Sequence, residues 1–230
     1  MVVLVACLAR PAAAKSDEPD AWEVWAGSQV LLARPAGSFH PPHADRAMGI
    51  GATASLVPPG HHVGLRFEYG SVELASHLND IRVPNPNGLW VDNLTVQTGS
   101  RLSWGMIGAQ WEARPKQSGF YCFASGGFGW VSPMEVLGNG YPLIEADVPG
   151  LPPSHGGFAW SAGAGSRLCI PGHPRFALTG EVAYRKLGSS RYVASPGIQG
   201  DFPDTRYVVA EGAVDVWTAQ LGLALHHARH

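Results

Sequence analysis

From Val63 to Gly70 the chain reads VGLRFEYG, and Val63, Leu65, Phe67 and Tyr69 alternate with Gly64, Arg66, Glu68 and Gly70. Successive side chains of a strand point to opposite faces, so one face here is oily and the other carries a cation and an anion. This strand runs on to about Ala75. Seven more segments alternate in the same way: Trp22 to about Arg34, Ala47–Val57, Leu94–Ala113, Phe120–Val131, Gly157–Ile170, Phe176 to about Leu187, and about Tyr207 to His226. No helical period and no solenoid repeat interrupts them. The connections run long, short, long, short, long, short, long, and the short ones are PPGH, RPKQSG and PGHP.

Eight alternating strands fit two kinds of barrel. A soluble one turns its oily face inward, whereas a membrane-spanning one turns it to lipid and keeps the charges inside. Three features favour the second. Long and short connections alternate as they do when extracellular loops face periplasmic turns, and an even strand number returns both termini to one side. Several strands reach the nine to eleven or so residues that a tilted membrane strand needs. Charged residues make up only 15% of the 230, against roughly 25% in an ordinary soluble domain. The expected fold is therefore an all-β, eight-stranded antiparallel up-and-down transmembrane barrel over residues 15–230. No apolar run is long enough for a spanning helix. Glycine and proline are plentiful, at 29 and 19, which suits strands and turns.

The first fourteen residues, MVVLVACLARPAAA, read as a signal peptide cleaved after Ala14. The segment LVAC, ending at Cys7, is the alternative, a lipoprotein box.

If the apolar set faces lipid, the other set is the lumen. It then holds Arg66 and Glu68, Glu112, Arg167, Glu181 and Arg185, and Glu211 and Asp215. Both signs occur on neighbouring strands, and pairs such as Arg66 with Glu112, Arg167 with Glu181 and Arg185 with Asp215 are expected. An eight-stranded lumen is just wide enough to be filled by side chains, so the interior should be plugged. Keeping all apolar residues outside requires a phase slip near Met106–Ile107 and another near Val216–Trp217, as β-bulges would produce.

Aromatic residues should form two interfacial girdles, since Trp and Tyr have an apolar body and a polar tip. Trp22, Trp111, Phe120 and Phe176 fall at the periplasmic level, and Tyr69, Trp130, Phe158, Trp160, Tyr184 and Tyr207 at the extracellular level. Trp104 and Trp217 lie deeper and fit neither.

The strand order, with segments such as FYCFASGGFGWV, FALTGEVAYRKL and VWTAQLGLALHH, resembles the small outer-membrane β-barrel family that includes OmpA- and OmpX-like transmembrane domains. The resemblance spans nearly the whole chain after residue 14. It implies an eight-stranded barrel in the bacterial outer membrane, with outer-membrane lipids and the barrel-assembly machinery as partners. Members of that family typically end in an aromatic residue; this chain ends LALHHARH.

Other chemistry is thinly represented. A net charge of −2 with no basic run argues against a nucleic-acid partner. His61, His62, His173, His226, His227 and His230 map to one rim but lack a metal-ligand spacing, so no metal or other cofactor is expected. Ser154-His155, with Glu145 and Asp147 nearby, would be needed for a lipid-modifying enzyme; neighbouring strand residues point apart, which is poor geometry for a nucleophile and its base. Cys122 and Cys169 fall on opposite faces and should not pair. The expectation is a barrel without enzymatic activity, structural or binding an extracellular ligand through four loops. A secreted lipocalin-like barrel holding a hydrophobic ligand stays open as the alternative.

Overall fold

The computed structural model describes residues 22–36, 47–84, 90–114, 118–137, 154–199 and 206–229. Eight strands account for most of these: β1 Trp22–Ala36, β2 Ala47–Val57, β3 Val63–Pro84, β4 Trp90–Glu112, β5 Gly119–Leu137, β6 His155–Ile170, β7 His173–Gln199 and β8 Arg206–Arg229. Each pairs antiparallel with the next, and β1 pairs with β8 from Trp22↔Arg229 to Ala36↔Asp215, so the barrel is closed and presents no free edge. Closure matters because lipid offers no hydrogen-bond partner to an unpaired strand. The signal-peptide segment, Glu145, Asp147 and His230 lie outside the described residues.

The turns at the end that carries both termini are tight. Between β2 and β3, His61 N donates to Pro58 O at 3.2 Å, and Gly60 has φ +68°. Between β6 and β7 only Pro171 and Gly172 intervene, with φ +79° at the glycine. Proline presets the first turn position and glycine tolerates the left-handed second.

At the opposite end the strands outrun the alternation. The third was expected to stop near Ala75 but continues to Pro84, and the seventh runs past Leu187 to Gln199. Register shifts mark the passage, at Glu73/Ala75 and Ile81/Val83 in β3 and at Leu187/Ser189 and Val193/Ile198 in β7. Beyond a membrane both faces of a hairpin meet water, so backbone pairing persists while the reason for strict alternation is gone. The fifth strand likewise runs past Val131 to Leu137, so three of the segments read as loops are partly strand.

The question raised by Val63–Gly70 has a direct answer. Leu65 and Phe67 are 49% and 46% exposed, whereas Arg66 and Glu68 are 2% and 4% exposed. The same inversion runs round the wall, with Ile50, Ile107, Phe128, Leu168, Leu178 and Leu221 all on the outer surface. Grease is outside and charge within.

The two expected phase slips do not occur. β4 pairs with β3 and β5 without interruption through Met106 and Ile107, and β8 pairs with β7 and β1 without interruption through Val216 and Trp217. The assumption behind them, that every apolar residue faces lipid, fails near the loop end of the lumen. Trp104, Met106, Val214 and Val216 are buried inside, in one apolar cluster with Leu31, Val72, Leu102, Val131 and Leu187.

Candidate functional site in the barrel lumen

Unbroken alternation brings inward-pointing residues from distant parts of the chain to one level of the lumen. β3 supplies Arg66 and Glu68, β4 Gln110 and Glu112, β6 Ser161 and Arg167, β7 Glu181 and Arg185, and β8 Thr218 and Gln220. All of these are buried. Glycine spacing makes room for the rings among them: a Cβ at Gly163 would stand 2.7 Å from Phe123, and one at Gly165 would stand 2.5 Å from Tyr121.

The charges form a continuous network. Arg66 Nη2 donates to Glu181 Oε1 and Oε2 at 3.0 and 2.8 Å, Arg66 Nε to Glu68 Oε2 at 3.2 Å, and Arg66 Nη1 to Gln110 Oε1 at 2.8 Å. Arg185 Nη2 lies 3.4 Å from Glu68 and 3.7 Å from Glu181, and a further donor of Arg185 meets Thr218 Oγ1. Arg167 grips Glu112 through both terminal nitrogens, at 2.8 and 3.2 Å. Neutral donors complete the carboxylates: Ser161 and Glu68 at 2.5 Å, Gln220 and Glu181 at 2.6 Å, Tyr121 and Glu181 at 3.2 Å, Gln110 and Glu112 at 2.6 Å. Three guanidinium groups face three carboxylates, so the layer is neutral.

Each cation also lies over a ring. Arg66 sits 3.8 Å from the Phe123 centroid, Arg167 4.0 Å from Trp25 and Arg185 4.8 Å from Trp104. Such contacts contribute about 0.5–2 kcal/mol each when desolvated. Nearer the termini Glu23 pairs with His226, whose ring stacks on Trp25 at 4.4 Å.

Several expected partners are exchanged. Arg66 meets Glu181 and Glu68, not Glu112; Glu112 is held by Arg167; and Arg185 meets Glu68 and Glu181, not Asp215. Two residues assigned to the lumen are not part of this network. Without a slip in β8, Asp215 shares the outward parity of Trp217 and Leu221; it is nonetheless buried, opposite Lys186 and 3.7 Å from its Nζ. Glu211 is solvent-exposed and pairs with Arg191 at 3.2 Å.

Gln110 and Glu23 were missed. Gln110 stands two residues from Glu112 and so shares its face, which is the signal that finds it.

Of the aromatic positions, Trp22, Tyr69, Trp111, Phe120, Phe158, Trp160 and Phe176 are exposed on the outer wall. Trp130 and Tyr184 are half-buried there. Tyr184 lies 5.5 Å from Trp160 and 5.2 Å from Trp217, so Trp217 joins the outer band. Tyr207 does not: it is buried, directly opposite the buried Ile198 in the extended β7–β8 hairpin. That hairpin packs its own side chains beyond the band.

The remaining candidates are dispersed. His62 Nδ1 contacts the Glu112 carbonyl at 2.8 Å, and no group of three metal-ligating side chains occurs among the described residues. Ser154 Oγ donates to Ser132 Oγ at 3.1 Å. Cys122 is exposed on the outer wall while Cys169 packs inside against Trp25, and both are free thiols.

No protein-family model and no curated protein matches the chain. Solved structures do. A major outer membrane protein of Thermus thermophilus superposes with a TM-score of 0.50 at 9% identity, over 89% of this chain and 99% of that one. Ail of Yersinia pestis aligns with a TM-score of 0.46 at 10% identity, over 91% and 100%, and Neisserial surface protein A with 0.43 at 10%, over 89% and 96%. At 9% identity the likeness to the Thermus protein establishes architecture alone. The chain has the fold of the small outer-membrane β-barrels. Together with its lipophilic exterior and polar interior, that fold makes it an integral barrel of the outer-membrane type.

Proposed function

We propose that this protein is a closed, non-conducting barrel of the bacterial outer membrane, a rigid scaffold whose role is structural or is recognition through its four extracellular connections. One observation carries the reading: the charged lumen is neutral and internally paired, Arg66, Arg167 and Arg185 being matched by Glu68, Glu112 and Glu181. A conducting pore needs water along its axis, whereas here side chains occupy an eight-stranded lumen that has little room to spare. Recognition on such a scaffold falls to connecting segments, which vary without disturbing the wall. The barrel has no enzymatic role in this reading.

Cell fractionation combined with gel mobility before and after boiling tests location and closure together. A heat-modifiable band in the outer-membrane fraction is expected. A soluble monomer without detergent would instead favour the lipocalin-like barrel. The protein in planar lipid bilayers should show no steady conductance. Swapping the extracellular connections should change whole-cell binding to host or abiotic surfaces while leaving heat-modifiability intact.

A further inference from the structure

On the strands that build the charged network, the inner face changes character at a common level. Reading from the termini end toward the loops, β3 presents Arg66, Glu68, Gly70, Val72 and Leu74, and β4 presents Glu112, Gln110, Gly108, Met106, Trp104 and Leu102. β8 presents Gln220, Thr218, Val216 and Val214, and β7 passes from Glu181 and Arg185 to Leu187. β1 follows the same order, from Glu23 and Gln29 to Leu31. The lumen thus has an ionic layer, with the rings of Trp25, Tyr121 and Phe123 among its charges, and an apolar layer above it. The apolar layer is a contiguous buried cluster two to three inward residues deep, and each inward step of two residues adds roughly 7 Å of strand.

We infer that this apolar layer, and not the ion-pair network, is the permeability seal of the barrel. The inference rests on the closed-lumen reading above and says which part does the closing. The two layers differ in what they offer water. In the ionic layer a void of about 20 Å³ is lined by Ser55, Thr53, Thr179, Tyr121, Arg66 and Arg167. Arg167 Nε and Gln29 Oε1 have no hydrogen-bond partner among the described residues. That volume accommodates a water molecule, and the lining supplies the polar partners a water requires. Ion pairs in such a layer can exchange protein partners for water.

The apolar layer offers less: Trp104 Nε1 and Arg185 Nε at its boundary have no hydrogen-bond partner among the described residues, and the side chains above them are hydrocarbon. Its void is about 10 Å³, bounded by Leu102, Trp104, Met106, Leu187 and Val214, with Arg185 and Lys186 at its edge. It is at the lower limit of the size that holds one water, and the surface it exposes is apolar. An ion crossing it would shed hydration with nothing in return, as at hydrophobic constrictions that block by dewetting. Gly70 tightens the boundary, since the Trp104 ring lies where a Cβ would stand, at 2.2 Å. The indole fills the lumen between the layers.

Full-length protein in planar bilayers separates the alternatives. Arg66→Gln/Glu181→Gln removes charge from the ionic layer; Leu102→Ser/Trp104→Ala opens the apolar one; Val214→Thr/Val216→Thr wets it with almost no change of shape. Each variant is first checked for a heat-modifiable band. Should the ionic double variant fail that check, Arg185→Gln/Glu68→Gln takes its place. Ionic-layer variants should stay at the wild-type baseline, while Leu102→Ser/Trp104→Ala should conduct several-fold above it, with Val214→Thr/Val216→Thr in between. An ionic-layer variant that conducts while the apolar-layer variants stay closed overturns the inference and leaves the closed-lumen reading standing. So do apolar-layer variants that fold and remain closed. A wild-type barrel that conducts overturns the closed-lumen reading itself.

Discussion

Arg66 and Glu181 lie 115 residues apart in the chain, yet the Arg66 guanidinium donates to both oxygens of the Glu181 carboxylate, at 3.0 and 2.8 Å. The pair spans the lumen from β3 to β7, two strands that are not neighbours in the wall. Its energetic character is that of a buried ion pair: losing one partner costs far more than the pair contributes over an apolar substitute.

Arg66→Met should therefore destabilise the barrel by about 3–5 kcal/mol, because Glu181 is left buried without its principal cation. Arg66→Met/Glu181→Leu should recover a substantial part of that loss. Urea unfolding in lipid vesicles of the two single variants and the double gives the coupling. Strict additivity would show that the two side chains do not act on each other.

An exposed pair should behave differently. Arg191 and Glu211 are each more than half exposed, and Glu211→Gln should change stability by no more than about 1 kcal/mol. Glu181→Gln, in the same assay, should cost several times as much. Equal effects would mean that Glu211 belongs with the lumen residues after all.

Gly70→Ala drives a methyl into the Trp104 ring, against atoms now 2.2 and 2.5 Å from the ideal Cβ. Overpacking of this kind costs about 1–3 kcal/mol. Gly105→Ala is the matched control, with nothing within 4 Å, and should shift the unfolding midpoint little. A larger effect at Gly105 would contradict the placement of Trp104.

The outer wall makes its own prediction. Leu221, 73% exposed midway along the apolar stretch of β8, should not tolerate arginine: Leu221→Arg should cost about 2–4 kcal/mol in a bilayer, falling to about 0–1 kcal/mol for Trp22→Arg at the rim. Refolding into vesicles of defined thickness measures both. A soluble barrel would accept either change without loss.

The alternation of VGLRFEYG and its seven counterparts was enough to read eight strands, their antiparallel order, the short turns at PPGH and PGHP, and the inward placement of Arg66, Glu68, Glu112, Arg167, Glu181 and Arg185. All of these follow from a period of two, a local property of the backbone. What could not be read was which apolar residues stay inside. Hydropathy cannot distinguish Trp104 facing a lumen from Trp111 facing lipid, because both are oily surroundings; parity along an unbroken strand can. Reading Met106 and Val216 as lipid-facing required two bulges that the strand pairing does not contain, and it carried Asp215 and Glu211 to the wrong side.

Pairing within the lumen was equally out of reach. A carboxylate's partner across a barrel depends on shear and tilt, which set how far each strand is displaced relative to those opposite, and neither quantity is encoded in any one segment. So the chain alone determined the faces, strand by strand, through the backbone's twofold repeat. Closure of the sheet decided that Glu181 meets Arg66, that Arg167 meets Glu112, and that an apolar layer caps the charges, because only closure brings non-neighbouring strands within reach of one another.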